Sequence, residues 1–166
     1  MTRWEHYGII GRVKKILLSQ GKCAIVDNED YKWLNQWKWY ASSSGYANRH
    51  PPMIRGKRKG KIMMHRLIMN APLDKNIDHI NRDELDNRKS NLRFATVSQN
   101  GANSGLPKNN TSGYKGVHWI KKDKCWMSRI MVNGKRKCLA CTKSKKKAVE
   151  KYRQAAIKFN GEFANV

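Results

Sequence analysis

With 166 residues, 39% of them hydrophobic, the chain can fill the core of one ordinary domain or of two small ones. Its 35 basic against 12 acidic side chains leave a formal charge of +23, which draws the molecule to a polyanion with an affinity that falls as salt rises. No apolar run approaches the roughly 20 residues that cross a bilayer. Met1–His6 shows no apolar signal segment, so a cytosolic protein with reduced thiols is expected.

Ile16-Leu17-Leu18 and Cys23-Ala24-Ile25-Val26, on either side of Gly21, predict two short strands around a turn. Asp27-Asn28-Glu29-Asp30 offers cap chemistry to a brief helix through Tyr31, Leu34 and Asn35. A strand at Trp37, Trp39 and Tyr40 follows, with a hairpin partner at Gly45–Arg49; tryptophans at this spacing read as core before they read as base-stacking platforms. Pro51-Pro52 and the basic run Arg55–Lys61 predict a turn, and Ile62–Met69 a strand running into a helix. Leu85–Leu92 reads as a tight loop, and from Asn91 onward Leu92, Ala95, Thr96 and Gln99 fit helical spacing. The small polar residues 101–112 mark a linker, centred on 104–111. Strands at Gly116–Ile120, Trp126–Val132 and Arg136–Leu139 come next, the last two joined by Asn133-Gly134, a strong hairpin signal. A helix capped by Ser144 closes the chain, with Ala148, Tyr152, Ala155, Ala156 and Phe159 on one face and Gly161 near its end. The expected fold class is α+β: a β-rich amino-terminal region and core over 1–103, then a three-stranded antiparallel sheet on one helix over 112–166.

Charge is segregated along the chain. Residues 1–70 carry +10, residues 71–111 carry +1 and residues 112–166 carry +12, and the near-neutral middle holds five of the 12 acids. Within it run Asp78-His79-Ile80-Asn81, Asp86-Asn87-Arg88 and Gln99-Asn100. An imidazole titrating near neutrality suits a general base, and an adjacent carboxylate suits magnesium, a hard cation. Strand alternation would bury Ile77 and direct Asp78 to the opposite face. The competing reading is a polar loop, in which Asp and Asn are common.

His65-Arg66-Leu67-Ile68, Ile77-Asp78-His79-Ile80-Asn81, Leu85-Asp86-Asn87-Arg88, Ser90-Asn91-Leu92-Arg93, Ala95-Thr96 and Gln99-Asn100 together resemble the HNH nucleases, in particular the phage and intron homing endonucleases. The resemblance covers about 65–103, and residues 8–64 resemble the amino-terminal part of phage members. It implies a ββα-metal core with one Mg2+ or Mn2+ per active site. His79 would be the general base and Asp78 and Asn100 the metal ligands. Asn91 would brace the loop and orient His79. Asn100 stands where many relatives have a second histidine, and its amide oxygen favours magnesium or manganese over zinc. Asn87 and Arg88 are expected to bond the loop more than to serve catalysis.

In the carboxy-terminal strands, Trp126, Ser128 and Ile130 alternate with Met127, Arg129 and Met131. If the first set packs on the helix, the second, with His118, Ile120, Arg136 and Cys138, is free to meet DNA, and Lys115 lies beside it. The expected DNA contacts are Lys115, His118, Arg129, Lys135, Arg136 and Lys137. Gly113-Tyr114-Lys115-Gly116-Val117, Trp126, Gly134-Lys135, Leu139, Ala148, Ala155-Ala156 and Gly161-Glu162-Phe163-Ala164 resemble the ethylene-response-factor (Apetala-type) DNA-binding domain. That resemblance implies a sheet in the major groove. Ala140, Thr142, His118, Ile120 and Met131 depart from that family, so its sequence preference does not carry over. His118, Cys125, Cys138 and Cys141 have metal-binding chemistry but lack a zinc-like paired spacing, and four free thiols are expected. The reading is a DNA endonuclease with a targeting module, acting on double-stranded DNA without a small-molecule cofactor or membrane, as a monomer or weak dimer in a phage-infected bacterial cytoplasm. Its rival is a non-catalytic DNA-binding regulator.

Overall fold

A computed structural model of the chain describes residues 13–53, 55–56, 60–132 and 134–166. Met1–His6, residues 57–59 of the basic run and Asn133 of the expected hairpin lie outside the described residues. The molecule is a mixed α+β protein of small antiparallel sheets and few helices. It divides into two compact units, Met1–Phe94 and Ala95–Val166.

In the first unit, β1 (Val13–Leu17) pairs antiparallel with β2 (Cys23–Asp27), Ile16 opposite Ala24. Gly21, at φ +71°, makes the turn between them, where Leu18 N–H donates to the Lys22 carbonyl at 2.8 Å. Ile16, Leu18, Ala24 and Val26 turn inward and pack with Leu34 of α1 (Asn28–Leu34) and with Trp39. Burial of this apolar set, at about 25 cal/mol per Å2 removed from water, is the main force holding the unit. Trp39 belongs to that core, its indole N–H donating to Leu34 O at 2.8 Å, while Trp33 and Trp37 pack against the margin. A second sheet orders β3 (Tyr40–Ala41), β4 (Ala47–Arg49) and β5 (Ile62–Met63), and β5 runs directly into α2 (Met64–Ile68).

The last sheet of this unit pairs β6 (Asn76–His79) with β7 (Leu92–Ala95). Here the helix expected from Asn91 is corrected. Lys89–Asn91 form a 3-10 turn and residues 92–95 form a strand, and the helix α3 (Val97–Asn103) begins only after Thr96. Thr96 and Gln99 make a reciprocal capping box, Thr96 Oγ1 accepting from Gln99 N–H at 3.2 Å and Gln99 Oε1 from Thr96 N–H at 2.8 Å. That box fixes the helix start, and Leu92 and Ala95, which fit a helical stripe by spacing, are buried as strand residues instead.

In the second unit α3 runs through Asn103, so Gly101–Asn103 form its last turn rather than linker. The break between units falls at Phe94/Ala95, ahead of the expected linker, because α3 is tied into the unit that follows. Lys115 Nζ donates to the carbonyls of Gly101 (3.0 Å), Ala102 (2.6 Å) and Ser104 (2.6 Å), and Asn165 Nδ2 to those of Asn103 (3.2 Å) and Ser104 (2.9 Å). A cation on the exposed carbonyls of a helix end is favourable both as hydrogen bond and as charge against the dipole.

The sheet of this unit is ordered β10–β9–β8, from β8 (Val117–Ile120), β9 (Cys125–Val132) and β10 (Lys135–Thr142). It packs on α4 (Lys145–Asn160), whose Ser144 cap accepts from Lys147 N–H at 3.3 Å. Val117 and Ile130 meet Ala148, Tyr152, Ala155 and Ala156, the helical stripe expected from spacing. Phe159 leaves that stripe: it is 41% exposed, with Lys137 Nζ over its ring at 5.1 Å. Gly116 lets Tyr152 close over it, since a Cβ there would stand 2.1 Å from Tyr152 Cε2.

Candidate active site

The first unit gathers Asp78, His79, Asn87 and Asn91. β6 delivers Asp78 and His79, and the loop from Ile80 to Asn91 folds back over them. Two backbone bonds moor that loop to the edge of β2: Ile25 N–H donates to Leu85 O, and Asn87 N–H to Ile25 O, each at 2.8 Å. Asp27, expected as a helix cap, instead accepts from Lys89 N–H at 2.8 Å. Inside the loop the Asn91 side chain makes three bonds. Its Oδ1 accepts from Asn81 N–H (3.0 Å), and its Nδ2 donates to Asn81 Oδ1 (3.0 Å) and to Asp86 O (2.8 Å). Asp86 is clasped by Arg88 Nε (2.7 Å) and Nη2 (2.6 Å) and by Asn81 Nδ2 (2.9 Å). The Arg88 hydrogen bonds hold the Asp86 carboxyl below the usual carboxylate range.

His79 is buried among rings. The His65 ring meets it edge to face at 5.1 Å between centroids, and Tyr46 lies 5.7 Å away. Burial lowers the His79 pKa, because an imidazolium loses its hydration there. The polar Asn87 side chain and the nearby Glu84, Asp78 and Asp83 carboxylates push in the opposite sense. At neutral pH the ring is therefore unprotonated and able to accept a proton. His65, pushed down to about 3 by burial, by His79 and by Arg66, is neutral as well. Burial and the Glu84 and Asp78 charges raise Tyr46, which keeps its phenolic proton.

Asp78 is buried like Ile77 and His79, so the one-sided burial expected of a strand gives way to a strand end covered on both faces. Its Oδ2 accepts from Arg93 Nε at 2.9 Å and lies 2.8 Å from Arg93 Nη2. Arg93, His65, Tyr46 and Glu84 are residues that sequence reasoning leaves without a part in the site, while Asn87, expected to bond the loop, does so by donating from Nδ2 to Leu85 O at 3.1 Å. For Asn87 and Arg93 a signal is present, in the Leu85–Arg88 and Ser90–Arg93 motifs; for Tyr46 and Glu84 there is none, since their nearness to His79 arises from the fold. Asn100 sits on α3, in the second unit, its N–H donating to Thr96 O at 2.9 Å.

The expected DNA contacts divide between the two faces of the carboxy-terminal sheet. The register sets His118 opposite Met127, Arg129 opposite Cys138 and Arg136 opposite Met131, which puts these residues on the face away from α4. Burial and the charges of Arg129 and Arg136 lower the His118 pKa, in keeping with three neighbours on one surface. Lys135 and Lys137, expected with Arg136 as DNA contacts, lie opposite Val132 and Ile130, on the helix side. Lys115, also among the expected DNA contacts, directs its ammonium at the carbonyls that end α3. The expectation of four free thiols is overturned. Cys125 and Cys141, diagonal neighbours on the outer face with Cα atoms 5.8 Å apart, form a disulfide, and Cys23 and Cys138 are free.

No helix among the described residues is long and apolar enough to cross a membrane. No solved structure matches the chain significantly. Over 165 residues it is 29% identical to an uncharacterized HNH endonuclease of Acanthamoeba polyphaga mimivirus, an alignment spanning 96% of this chain and 79% of that protein. Over 68 residues it is 40% identical to Protein 3.8 of Escherichia phage T7, covering 40% of this chain and 56% of the phage protein. Residues 63–102 match the HNH endonuclease family, and the strand end and loop that hold Asp78, His79, Asn87 and Asn91 lie wholly within that span.

Proposed function

We propose that the protein is a metal-dependent endonuclease that hydrolyses double-stranded DNA to 5′-phosphate and 3′-hydroxyl ends, in the manner of phage homing endonucleases. The observation that carries this reading is the buried, neutral His79 beside Asp78 in the HNH span, with the Asn87 side chain close to its ring. The donor chemistry suits a hard divalent cation: Asp78 would offer it a carboxylate oxygen, and the family resemblance adds the Asn100 amide oxygen, with Mg2+ or Mn2+ as the ion. Such an ion supplies stabilisation of charge in the transition state and at the leaving oxygen. His79 takes a proton from water at an imidazole nitrogen, with the Asn87 side chain beside the ring. Asn91 keeps the loop closed over the site, excluding bulk water from the imidazole.

The second unit serves to place the nuclease on DNA through His118, Arg129 and Arg136, as in Apetala-type domains, with Lys135 and Lys137 in a lesser, charge-only part. Tethering two DNA-binding parts raises the local concentration of the weaker one on its site. The protein works as a monomer or weak dimer, without a small-molecule cofactor, in the cytoplasm of an infected host. Plasmid nicking tests the reading. Wild type should nick with Mg2+ and stop with EDTA, and His79→Ala should cut about 10²–10⁴-fold more slowly while still binding DNA. Unchanged cleavage by His79→Ala sinks it, and metal-independent DNA binding with no cleavage favours the regulator reading.

A further inference from the structure

The Asp78–Arg93 pair raises a question that the proposed metal site does not answer. Asp78 is 3% exposed and the Arg93 side chain 12%, so this is a nearly dry ion pair. Both interactions reach the same oxygen, Oδ2, from Nε at 2.9 Å and Nη2 at 2.8 Å. A divalent ion brought to Asp78 meets a guanidinium already there, and two cations on one buried carboxylate repel strongly in a low dielectric. Yet a buried carboxylate without any counter-charge is costly, so something must neutralise Asp78 before metal arrives. A guanidinium also has a second natural partner in this chemistry, since its planar fork matches a phosphate as well as a carboxylate.

Resting on the nuclease reading, we propose that Arg93 is a resident counter-cation for Asp78 that turns to the backbone phosphate of bound DNA and so yields the carboxylate to the divalent ion. Metal and DNA binding are then positively coupled. Without DNA, Arg93 competes with the ion and keeps metal affinity low. With a phosphate at hand, Arg93 gains a partner and Asp78 gains the metal. By linkage the coupling is reciprocal, metal strengthening DNA binding by the same factor. A nuclease built this way assembles its reactive centre on the substrate rather than in free solution.

The test is Mn2+ binding to the full chain without DNA, followed by electron paramagnetic resonance of the free ion, for wild type, Arg93→Gln, Arg93→Lys and Asp78→Asn. Arg93→Gln should bind Mn2+ roughly tenfold more tightly than wild type, within the usual range of such couplings. Arg93→Lys, which keeps the charge, should stay near wild type, and Asp78→Asn placed in the Arg93→Gln chain should abolish the gain. If Arg93→Gln is unfolded without metal, Mn2+ should restore its thermal transition; an unrestored protein means that a metal cannot replace the guanidinium, and the inference fails. Equal Mn2+ affinity in wild type and Arg93→Gln, with Asp78→Asn still weakening it, overturns the counter-cation role and leaves the nuclease reading standing. Mn2+ binding indifferent to Asp78→Asn in both backgrounds removes the metal ligand itself.

Discussion

Gly116→Ala should cripple the carboxy-terminal unit although it adds a single methyl group. A Cβ at this position would lie 2.1 and 2.3 Å from Cε2 and Cδ2 of Tyr152 and 2.6 Å from the Arg129 carbonyl oxygen, where ordinary contacts are about 3.5–4.0 Å. Tyr152 is buried against Val117, Ile130 and the alanines of α4. Arg129 cannot retreat freely either, because its N–H donates to Gly116 O at 2.9 Å. The residue also sits at φ +67°, where a side chain costs roughly 1–2 kcal/mol. Overpacking adds about 1–3 kcal/mol, and breaking the Arg129–Gly116 bond about 1 more. A loss near 3–6 kcal/mol is expected, a large share of the roughly 5–15 kcal/mol that a domain holds. Hydrogen exchange in the full chain reads it directly: β8, β9 and β10 amides should lose about 100-fold or more of their protection, with β1 and β2 as internal reference. In a Tyr152→Ala background the same substitution should cost at least about 1 kcal/mol less, since the ring it strikes is gone. Wild-type protection in Gly116→Ala, or an equal cost in both backgrounds, refutes the packing argument.

Acid should weaken the first unit through His65. Its folded pKa of about 3 lies below the unfolded value near 6.5, so the unfolded chain binds the extra proton between those values. Stability from this residue is fully present above pH about 6.5 and drains as pH falls towards about 3, amounting to some 2–3 kcal/mol at pH about 4.5. His65→Phe, neutral throughout, should narrow the difference between urea midpoints at pH about 7 and about 4.5; an unchanged difference counts against it. On the outer face of the carboxy-terminal sheet, Arg136→Ala should weaken duplex binding and reduce the salt slope by about 0.9, the counterion share of one phosphate. Lys137→Ala, on the helix side, should change both less, and fluorescence anisotropy at several salt concentrations that finds Lys137 equal or dominant would reject the face assignment.

What the chain discloses by itself depends on distance along it. The β9–β10 hairpin and α4 are legible because alternation, the Asn133-Gly134 signal, the Ser144 cap and the Ala148–Ala156 stripe are all local. The start of α3 is not, because Leu92 and Ala95 satisfy helical and strand spacing alike, and the Thr96–Gln99 box that decides between them also fits the interior of a longer helix. In the site, His79 and Asp78 declare themselves by adjacency and residue type. Arg93 on Asp78, Asn87 on His79 and Lys115 on the end of α3 do not, since each depends on which of several polar groups the fold brings within reach. The disulfide is hidden for a similar reason: Cys125 and Cys141 become neighbours only once the β9–β10 register is known.

That register carries a discontinuity, with Cys138 opposite Arg129 but Ala140 opposite Ser128. The extra residue, Leu139, makes two successive side chains of β10 turn toward α4, and it resets the alternation for the remainder of the strand. Cys138 and Cys141 consequently share the outer face although three positions apart, a spacing that in an unbroken strand would set them on opposite sides. The strand is thus read in two frames. Removing Leu139 would restore an unbroken ladder with Ala140 still opposite Ser128 and Cys141 still opposite Met127, so the cross-link would keep its register while α4 lost one apolar side chain from the sheet's wall. What the bulge contributes is a second adjacent side chain against the helix, and the frame of Cys141 is held by the strand opposite.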